Sequence, residues 1–526
     1  MSTVNSVNVF KLTWGALLTG SNKVDNLDEI LVQLKSIFCI MWVTVVIIVV
    51  LVSLMFNLAR RPKSLPPGPR GYPIIGNVGL FQPSEAVTAH RRLKKIYGDI
   101  YSLMFFYKPM IIVHGYHHIR EILVKHGDVF SERPKILPSV AVAKGKGLLW
   151  SSGPLWKEQR TFALTTMRKF GFGRRCLESQ IMEEVDCLMD ELEKYGQEAF
   201  DIQSILNSSV SNVICSLLFG KRFNYEDARF KRLIYLLNKI VSTSSTSSVQ
   251  FLFPWLRHLQ TIFRSSREGK ELFMALNTFI KEMIEEHKLN FDENNIKDYI
   301  DAFLLEQKQR GNEIDTTFTD EQLVVSVRDF FAAGTETTST TLRWALLYLI
   351  HYPHWQKRLQ KDIDEVIGQG QPKMEHREQL PLVDAFILEV QRLANIVPMN
   401  LPHAANEDFV YNGHRFAKGV IVFCVLDSVL SDPENFPEPS KFKPERFLDE
   451  NGKCQGEQKK KLIPFSIGRR VCLGESLAKM ELFLFFTRFL QKFEIKPENP
   501  ECLPSLEGTV GLTHMPKEFK IRLLKR

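Results

Sequence analysis

The chain has 526 residues, 44% hydrophobic and 24% charged, with a formal net charge of +8. These are ordinary globular values, and they exclude a disordered, collagenous, coiled-coil or polytopic membrane protein. The 38 phenylalanines supply bulky material for a large core. So mild a positive excess suits a membrane surface or an acidic protein partner, and no basic arm marks a nucleic-acid binder. The cysteines at 39, 176, 187, 215, 424, 454, 472 and 502 form no CxxC pair. They are expected as reduced thiols facing the cytosol.

Ile37–Phe56 runs twenty residues without a charge. As a helix that length spans roughly 30 Å, the hydrocarbon thickness of a bilayer. A buried core helix rarely runs so long without a charge. A cleaved signal peptide would start nearer Met1 and end in small residues, whereas here Asn57-Leu58-Ala59 leads into Arg60, Arg61 and Lys63. The expectation is an uncleaved single-pass anchor with its C-terminal side in the cytosol. The chain then divides into a short lumenal segment (1–35), an anchor (36–58), a basic, proline-rich hinge (59–73) and one large domain (74–526). The prolines in Leu65–Pro73 fix φ and make the hinge a stiff spacer.

Strand-like runs stand at Ile100–Phe106, Met110–Val113 and Gly419–Leu426. Helical periodicity covers Leu177–Tyr195, Phe230–Val241, Glu271–Lys288, Asp320–His351, His354–Ile367 and Leu382–Ala394. Ser242–Ser248 reads as a surface loop or a loose helix connection. The fold class is mainly α with a minor β part. Thr319 and Gln322 resemble a capping box opening the longest helix, which meets no proline before Pro353. Its middle, Ala332-Ala333-Gly334-Thr335-Glu336-Thr337-Thr338, is a weak, hydroxyl-rich stretch between apolar flanks at Phe330, Phe331, Trp344, Leu346 and Leu347. That pattern predicts a local opening of the helix directed at something.

Near the C-terminus, Phe465-Ser466-Ile467-Gly468-Arg469-Arg470-Val471-Cys472-Leu473-Gly474-Glu475 precedes the apolar helix Ser476–Phe486. Cys472 therefore stands at or just before a helix N-terminus, where N–H groups and the macrodipole favour a thiolate. Arg470 adds positive charge, and the flanking glycines allow close backbone approach to a planar group. A lone cysteine is more often a small buried hydrophobe, but its neighbours overturn that reading here.

This sequence resembles the cytochrome P-450 monooxygenases. FxxGxRxCxG is met in full by Phe465, Gly468, Arg470, Cys472 and Gly474. Ala333–Thr337 resembles the family's oxygen-activating helix, Glu389–Arg392 its ExxR pair, Pro444–Phe447 its PERF segment, and Trp156–Arg160 its WxxxR. The resemblance runs from the proline hinge to the end, and the anchor and hinge look like the microsomal, vertebrate-type family two. It implies a single large haem domain with the cytochrome P-450 fold behind one transmembrane helix, placed in the endoplasmic reticulum membrane with the catalytic domain cytosolic.

The resemblance further implies haem b with Cys472 as axial thiolate ligand to iron. Arg133, Trp156, Arg160, His403 and Arg470 are implied as contacts to its propionates. Thr337 and Glu336 are the implied proton-delivering pair. Glu389, Arg392 and Arg446 are the implied buried structural network. Ala333, Val397, Met399 and Leu401 are expected against a lipophilic substrate, a fatty acid, sterol or xenobiotic, with Leu137–Gly147 and Phe251–Phe253 setting specificity. No nicotinamide or flavin fingerprint is present, so NADPH acts only indirectly. A flavoprotein reductase, with cytochrome b5 as a further partner, would dock near Lys459-Lys460-Lys461 and Arg469. Two other readings stay open at this point. One is a haem-thiolate isomerase or dehydratase acting on lipid peroxides, against which Glu336-Thr337 counts. The other is a non-catalytic haem sensor or carrier.

Overall fold

The computed structural model describes residues 27–58, 64–72, 75–77, 80, 83–105, 108–135, 143–171, 175–246, 264–311, 313, 315–511 and 513–526. The basic cluster 60–63, most of the loop 137–147, and 251–253 lie outside the described residues. The chain divides into two compact units, residues 1–60 with 72–74, and residues 61–71 with 75–526.

The first unit carries helix α1, Leu27–Leu58. It begins nine positions ahead of the expected 36, because Asp28, Glu29 and Lys35 are compatible with a helix even where they end the apolar run. Leu34–Leu54 within it has a mean hydropathy of 3.1 and no buried residue, long and apolar enough to cross a bilayer.

The second unit is mostly helical. Its helices are α2 (Pro83–Tyr97), α3 (Gly153–Lys169), α4 (Arg175–Glu193), α5 (Gln203–Phe219), α6 (Ala228–Thr246), α7 (Arg264–Leu289), α8 (Tyr299–Gln309), α9 (Asp320–His351), α10 (Pro353–Val366), α11 (Pro381–Ala394) and α12 (Glu475–Lys492). A four-stranded sheet orders β1 (Ile100–Phe105), β2 (Lys108–Val113), β4 (Ile421–Cys424) and β3 (His403–Ala404). β1–β2 and β3–β4 pair antiparallel, and β2–β4 pair parallel. The proline stretch is no free spacer: Ser102 on β1 donates from its backbone N–H to Pro67 O (2.8 Å) and from its hydroxyl to Pro66 O (3.1 Å).

α9 crosses the core, with 24 of its 32 residues buried. Thr319 caps it, its hydroxyl accepting from the Gln322 N–H at 3.2 Å. The Gln322 side chain does not return to the cap; it pairs with both backbone groups of Gly147. The expected opening of the helix is absent. Thr337, Ser339 and Thr341 donate their hydroxyls to the carbonyls of Ala333, Thr335 and Thr337 at 2.8–2.9 Å, so the hydroxyl-rich stretch satisfies itself inside a continuous helix. Gly334 is explained by α5, since a Cβ there would meet Ile214 Cδ1 at 2.6 Å.

α5 is buried along most of its length, its polar Asn207, Ser209, Ser211 and Asn212 included, packed as it is against α4, α8 and α9. Trp344 on α9 is 1% exposed and donates from Nε1 to His514 O at 3.0 Å. Trp344→Ala should lower the unfolding free energy by about 3–5 kcal/mol. A thermal unfolding midpoint equal to that of the parent would contradict its place in the core.

Candidate active site

The cysteine loop is built by backbone contacts. Cys472 N–H donates to Phe465 O (3.0 Å), Val471 N–H to Gly468 O (3.1 Å) and Ser466 N–H to Ile463 O (3.0 Å). Gly468 has φ +84°, and a Cβ there would collide with the Leu123 carbonyl. The protein backbone alone thus demands glycine there. Gly474 is the N-cap of α12, and a Cβ there would lie 4.0 Å from the Cys472 sulfur. Phe465 packs under the Lys479 ammonium, 5.6 Å from the ring centre.

Cys472 remains solvent-accessible although protein surrounds it closely. Burial pushes its thiol pKa up; the Gly474 N–H bonded to the sulfur and the Arg160 charge work against that. Position ahead of the α12 N-terminus adds a further bias toward thiolate.

Three guanidiniums gather beside this loop. Arg470 lies over the Trp156 ring at 3.7 Å, with Arg160 at 5.8 Å from the same ring. Arg470 donates to Ser131 O and Ser151 O at 2.7 Å each, Arg133 to Leu149 O and Pro402 O, and Arg160 to Val471 O at 2.5 Å. Among the described residues none of the three makes an ion pair, and Arg470 Nη1 has no partner. Burial first, then mutual repulsion, pulls Arg133 down to about 9 and Arg470 to about 8. Such a cluster calls for anions.

His403 stands on β3, whose Ala404 pairs with Glu132 next to Arg133. Its Nδ1 lies 2.7 Å from Phe130 O, and burial with the nearby Arg133 and Arg470 charges holds its pKa well below the usual value. The neutral ring therefore carries its proton on Nδ1 and presents Nε2 as an acceptor. It can donate to a carboxylate only as imidazolium, which an anion beside it would favour.

Glu389 is wholly buried on α11. It accepts from Arg392 Nε and Nη2 (2.7 and 2.8 Å), from Arg446 Nε (3.1 Å) and from the Lys443 N–H (2.8 Å). The remaining guanidinium hydrogens reach the carbonyls of Leu430, Pro437, Glu438 and Lys441.

On α9, Ala333 is exposed in a helix that is otherwise mostly buried, and Thr337 is half-buried. Glu336 is buried, accepts from the Thr340 hydroxyl at 3.1 Å, and has its pKa raised by that burial. Val397 and Leu401 are half-buried in the segment after α11. That segment is tied to the cysteine loop by Asn400 Nδ2 donating to Ser466 Oγ (2.9 Å) and to Arg133 through Leu401 O (3.3 Å). Met399 packs against the cluster holding Tyr101, Leu103 and Ile112.

Two groups escaped the sequence reading. Asp329 accepts from the Leu148 and Leu149 N–H groups at 2.8 and 2.9 Å, clamping the segment whose carbonyls hold Arg133 and Arg470. Glu481 on α12 is buried, accepts from Thr338 at 3.1 Å, and is pushed up to about 8 by burial. An aspartate or glutamate within an amphipathic helix gives no signal of its own; only the packing partner reveals it.

The residues present fit a haem. A thiol ahead of a helix N-terminus, unpaired guanidiniums for two carboxylates, and the small Ala333 surface are what such a group requires. Removing Glu389 strands two buried cations, a loss of about 3–5 kcal/mol. Glu389→Ala should therefore yield little folded, haem-loaded protein, read from the absorbance ratio of haem to protein; full haem loading would refute the structural role.

The family model for Cytochrome P450 matches residues 66–523. Cytochrome P450 2J1 of Oryctolagus cuniculus is 40% identical over 479 residues, covering 90% of this chain and 93% of its own. Cytochrome P450 2C50 of Mus musculus is 38% identical, covering 94% and 99%. Cytochrome P450 2B4 of Oryctolagus cuniculus is 38% identical, covering 90% and 98%. With this site, and with that match across nearly its whole length, the chain belongs to the cytochrome P450 family of haem-thiolate monooxygenases.

Proposed function

We propose that Cys472 is the axial ligand and that the enzyme oxygenates a lipophilic fatty acid, sterol or xenobiotic. The observation that carries this reading is the accessible Cys472 sulfur ahead of α12, set in one loop with Arg470 of the unpaired guanidinium cluster. Bound haem supplies the activation of dioxygen and the insertion of one oxygen atom into the substrate.

The chain's own residues do the rest. Arg133, Arg160 and Arg470 would hold the propionates, with Trp156 stacked against the Arg470 guanidinium and Phe465, Gly468 and Gly474 shaping the loop. The N–H groups around Cys472 favour its ionised form. Glu336, its pKa raised by burial, is suited to take up and release a proton. Thr337 passes protons on; its hydroxyl donates to Ala333 O at 2.8 Å at rest and keeps lone pairs free to accept. Ala333, Val397 and Leu401 offer a small, apolar surface to substrate.

Electrons come from an NADPH-dependent flavoprotein reductase, with cytochrome b5 as a second donor. The basic face is partly neutralised. Lys460 pairs with Glu457 (2.7 Å), Arg469 pairs with Asp128, and Lys461 lies 4.0 Å from the Tyr116 ring centre. Lys459 is itself paired with Asp384 (3.4 Å), so docking draws on pairs that must open. In the reading supported by α1, the protein is a single-pass protein of the endoplasmic reticulum membrane with a lumenal 1–35, an anchor at 36–58, a hinge at 59–73 and a cytosolic haem domain at 74–526.

In a reconstituted system with reductase and lauric acid as probe, Thr337→Ala should bind haem normally yet divert severalfold more reducing equivalents to peroxide. Unchanged peroxide per NADPH would remove Thr337 from proton delivery.

A further inference from the structure

Helix α9 carries a polar stripe that extends past its central pair. Glu336, Thr340 and Arg343 stand at i, i+4 and i+7 and so share a face. All three are buried, and the Thr340 hydroxyl donates to Glu336 Oε1 at 3.1 Å. Arg343 is 2% exposed, with its guanidinium 5.8 Å from the Phe519 ring centre. Its Nε and Nη2 have no hydrogen-bond partner. A buried cation with unpaired donors is a poor structural element, because an apolar side chain of similar volume would serve better there.

Three carboxylates act on Arg343: Glu336 from its own helix, Asp201 from just before α5, and Glu518 from the C-terminal segment. Asp201 and Glu518 are exposed. The segments carrying them are joined by the Phe200–Ile521 bridge, hydrogen-bonded in both directions at 3.0 Å. The stripe therefore leads from the middle of α9 toward two exposed carboxylates, Asp201 and Glu518.

We propose that protons reach Glu336 from solvent along this stripe, with Arg343 as its positioning residue. This rests on the reading of Glu336 and Thr337 as the proton-delivering pair. Solvent protonates Asp201 or Glu518. Water ordered by the Arg343 Nε–H and Nη2–H carries the proton to Thr340 Oγ1, and the original hydroxyl hydrogen of Thr340 moves to Glu336 Oε1. One proton is taken up at the surface and one arrives at Glu336. Only O–H bonds form and break, the guanidinium keeps its charge, and nothing is oxidised or reduced. Arg343 also favours the ionised form of Glu336 between deliveries, against the burial that opposes it.

The test uses the full-length protein with reductase, NADPH and lauric acid as probe; peroxide release does not require the probe to be turned over. Arg343→Gln should load haem, release severalfold more peroxide per NADPH, enlarge the solvent isotope effect on NADPH consumption and alter its pH profile. Arg343→Lys should restore most of this, which a merely structural role would not predict. The surface pair Asp201→Asn with Glu518→Gln should enlarge the isotope effect at unchanged haem content. Haem-loaded variants with the parent's peroxide yield, isotope effect and pH profile would overturn the proposal. If Arg343→Gln fails to load haem, the surface pair alone decides by the same readouts. Thr337→Ala separates the two levels. If it uncouples while the stripe variants do not, the route alone is wrong; if it too behaves as the parent, the underlying pair is misassigned.

Discussion

Buried beyond the reach of water, the Glu389 carboxylate accepts four hydrogen bonds, from two guanidiniums and one backbone N–H. A charge in such a place persists only when fully paired. The pairing fixes more than itself, because Arg392 and Arg446 spend their remaining hydrogens on carbonyls of the coil between Leu430 and Lys441. That coil supplies Phe436, and the turn after it Phe447, to the apolar cluster that also holds Leu123, Ile463 and Ile467. Leu123 and Ile463 in turn lie against or within the cysteine loop through Gly468 and Ser466. Geometry at Cys472 is thus inherited from a carboxylate on another helix.

The charge pattern around the loop inverts that logic. Glu389 has more donors than a single ion pair needs, whereas Arg133, Arg160 and Arg470 have no acidic partner among the described residues. Their donors go to carbonyls, which satisfy hydrogen bonding without cancelling charge. The positive field left over would suit an anionic cofactor edge, and the Asp329 clamp fixes the backbone that carries Leu149 and Ser151.

Much of this was legible in the sequence where periodicity and punctuation agree. The bounds of the Asp320–His351 helix follow from Thr319 at one end and Pro353 at the other, and the strands Ile100–Phe105 and Lys108–Val113 lie within two residues of the short runs Ile100–Phe106 and Met110–Val113. The cysteine loop was legible because its residues are contiguous. Other features arise between segments far apart in the chain. The hydroxyl-rich centre of α9 promised a gap, but threonine and serine can bond back to the preceding turn, and local composition does not say which occurs. The backbone demand for glycine at 468 comes from the Leu123 carbonyl, far away in the chain, and no local pattern announces it. His403 is implied as a propionate contact, but which ring nitrogen carries its proton depends on Phe130 O, again from a distant segment. Asp329 and Glu481 had no local signature at all.

The central claim is that the Cys472 sulfur, held by its loop and by the N-terminus of α12, is the thiolate that binds haem iron. The most direct test is the carbon monoxide difference spectrum of the dithionite-reduced protein, measured beside Cys472→Ser. A strongly red-shifted Soret band in the parent that is lost in Cys472→Ser is the expected result. A Soret band at the position of histidine-ligated haem in freshly prepared, folded parent protein, or a red-shifted band that survives in Cys472→Ser, would contradict it.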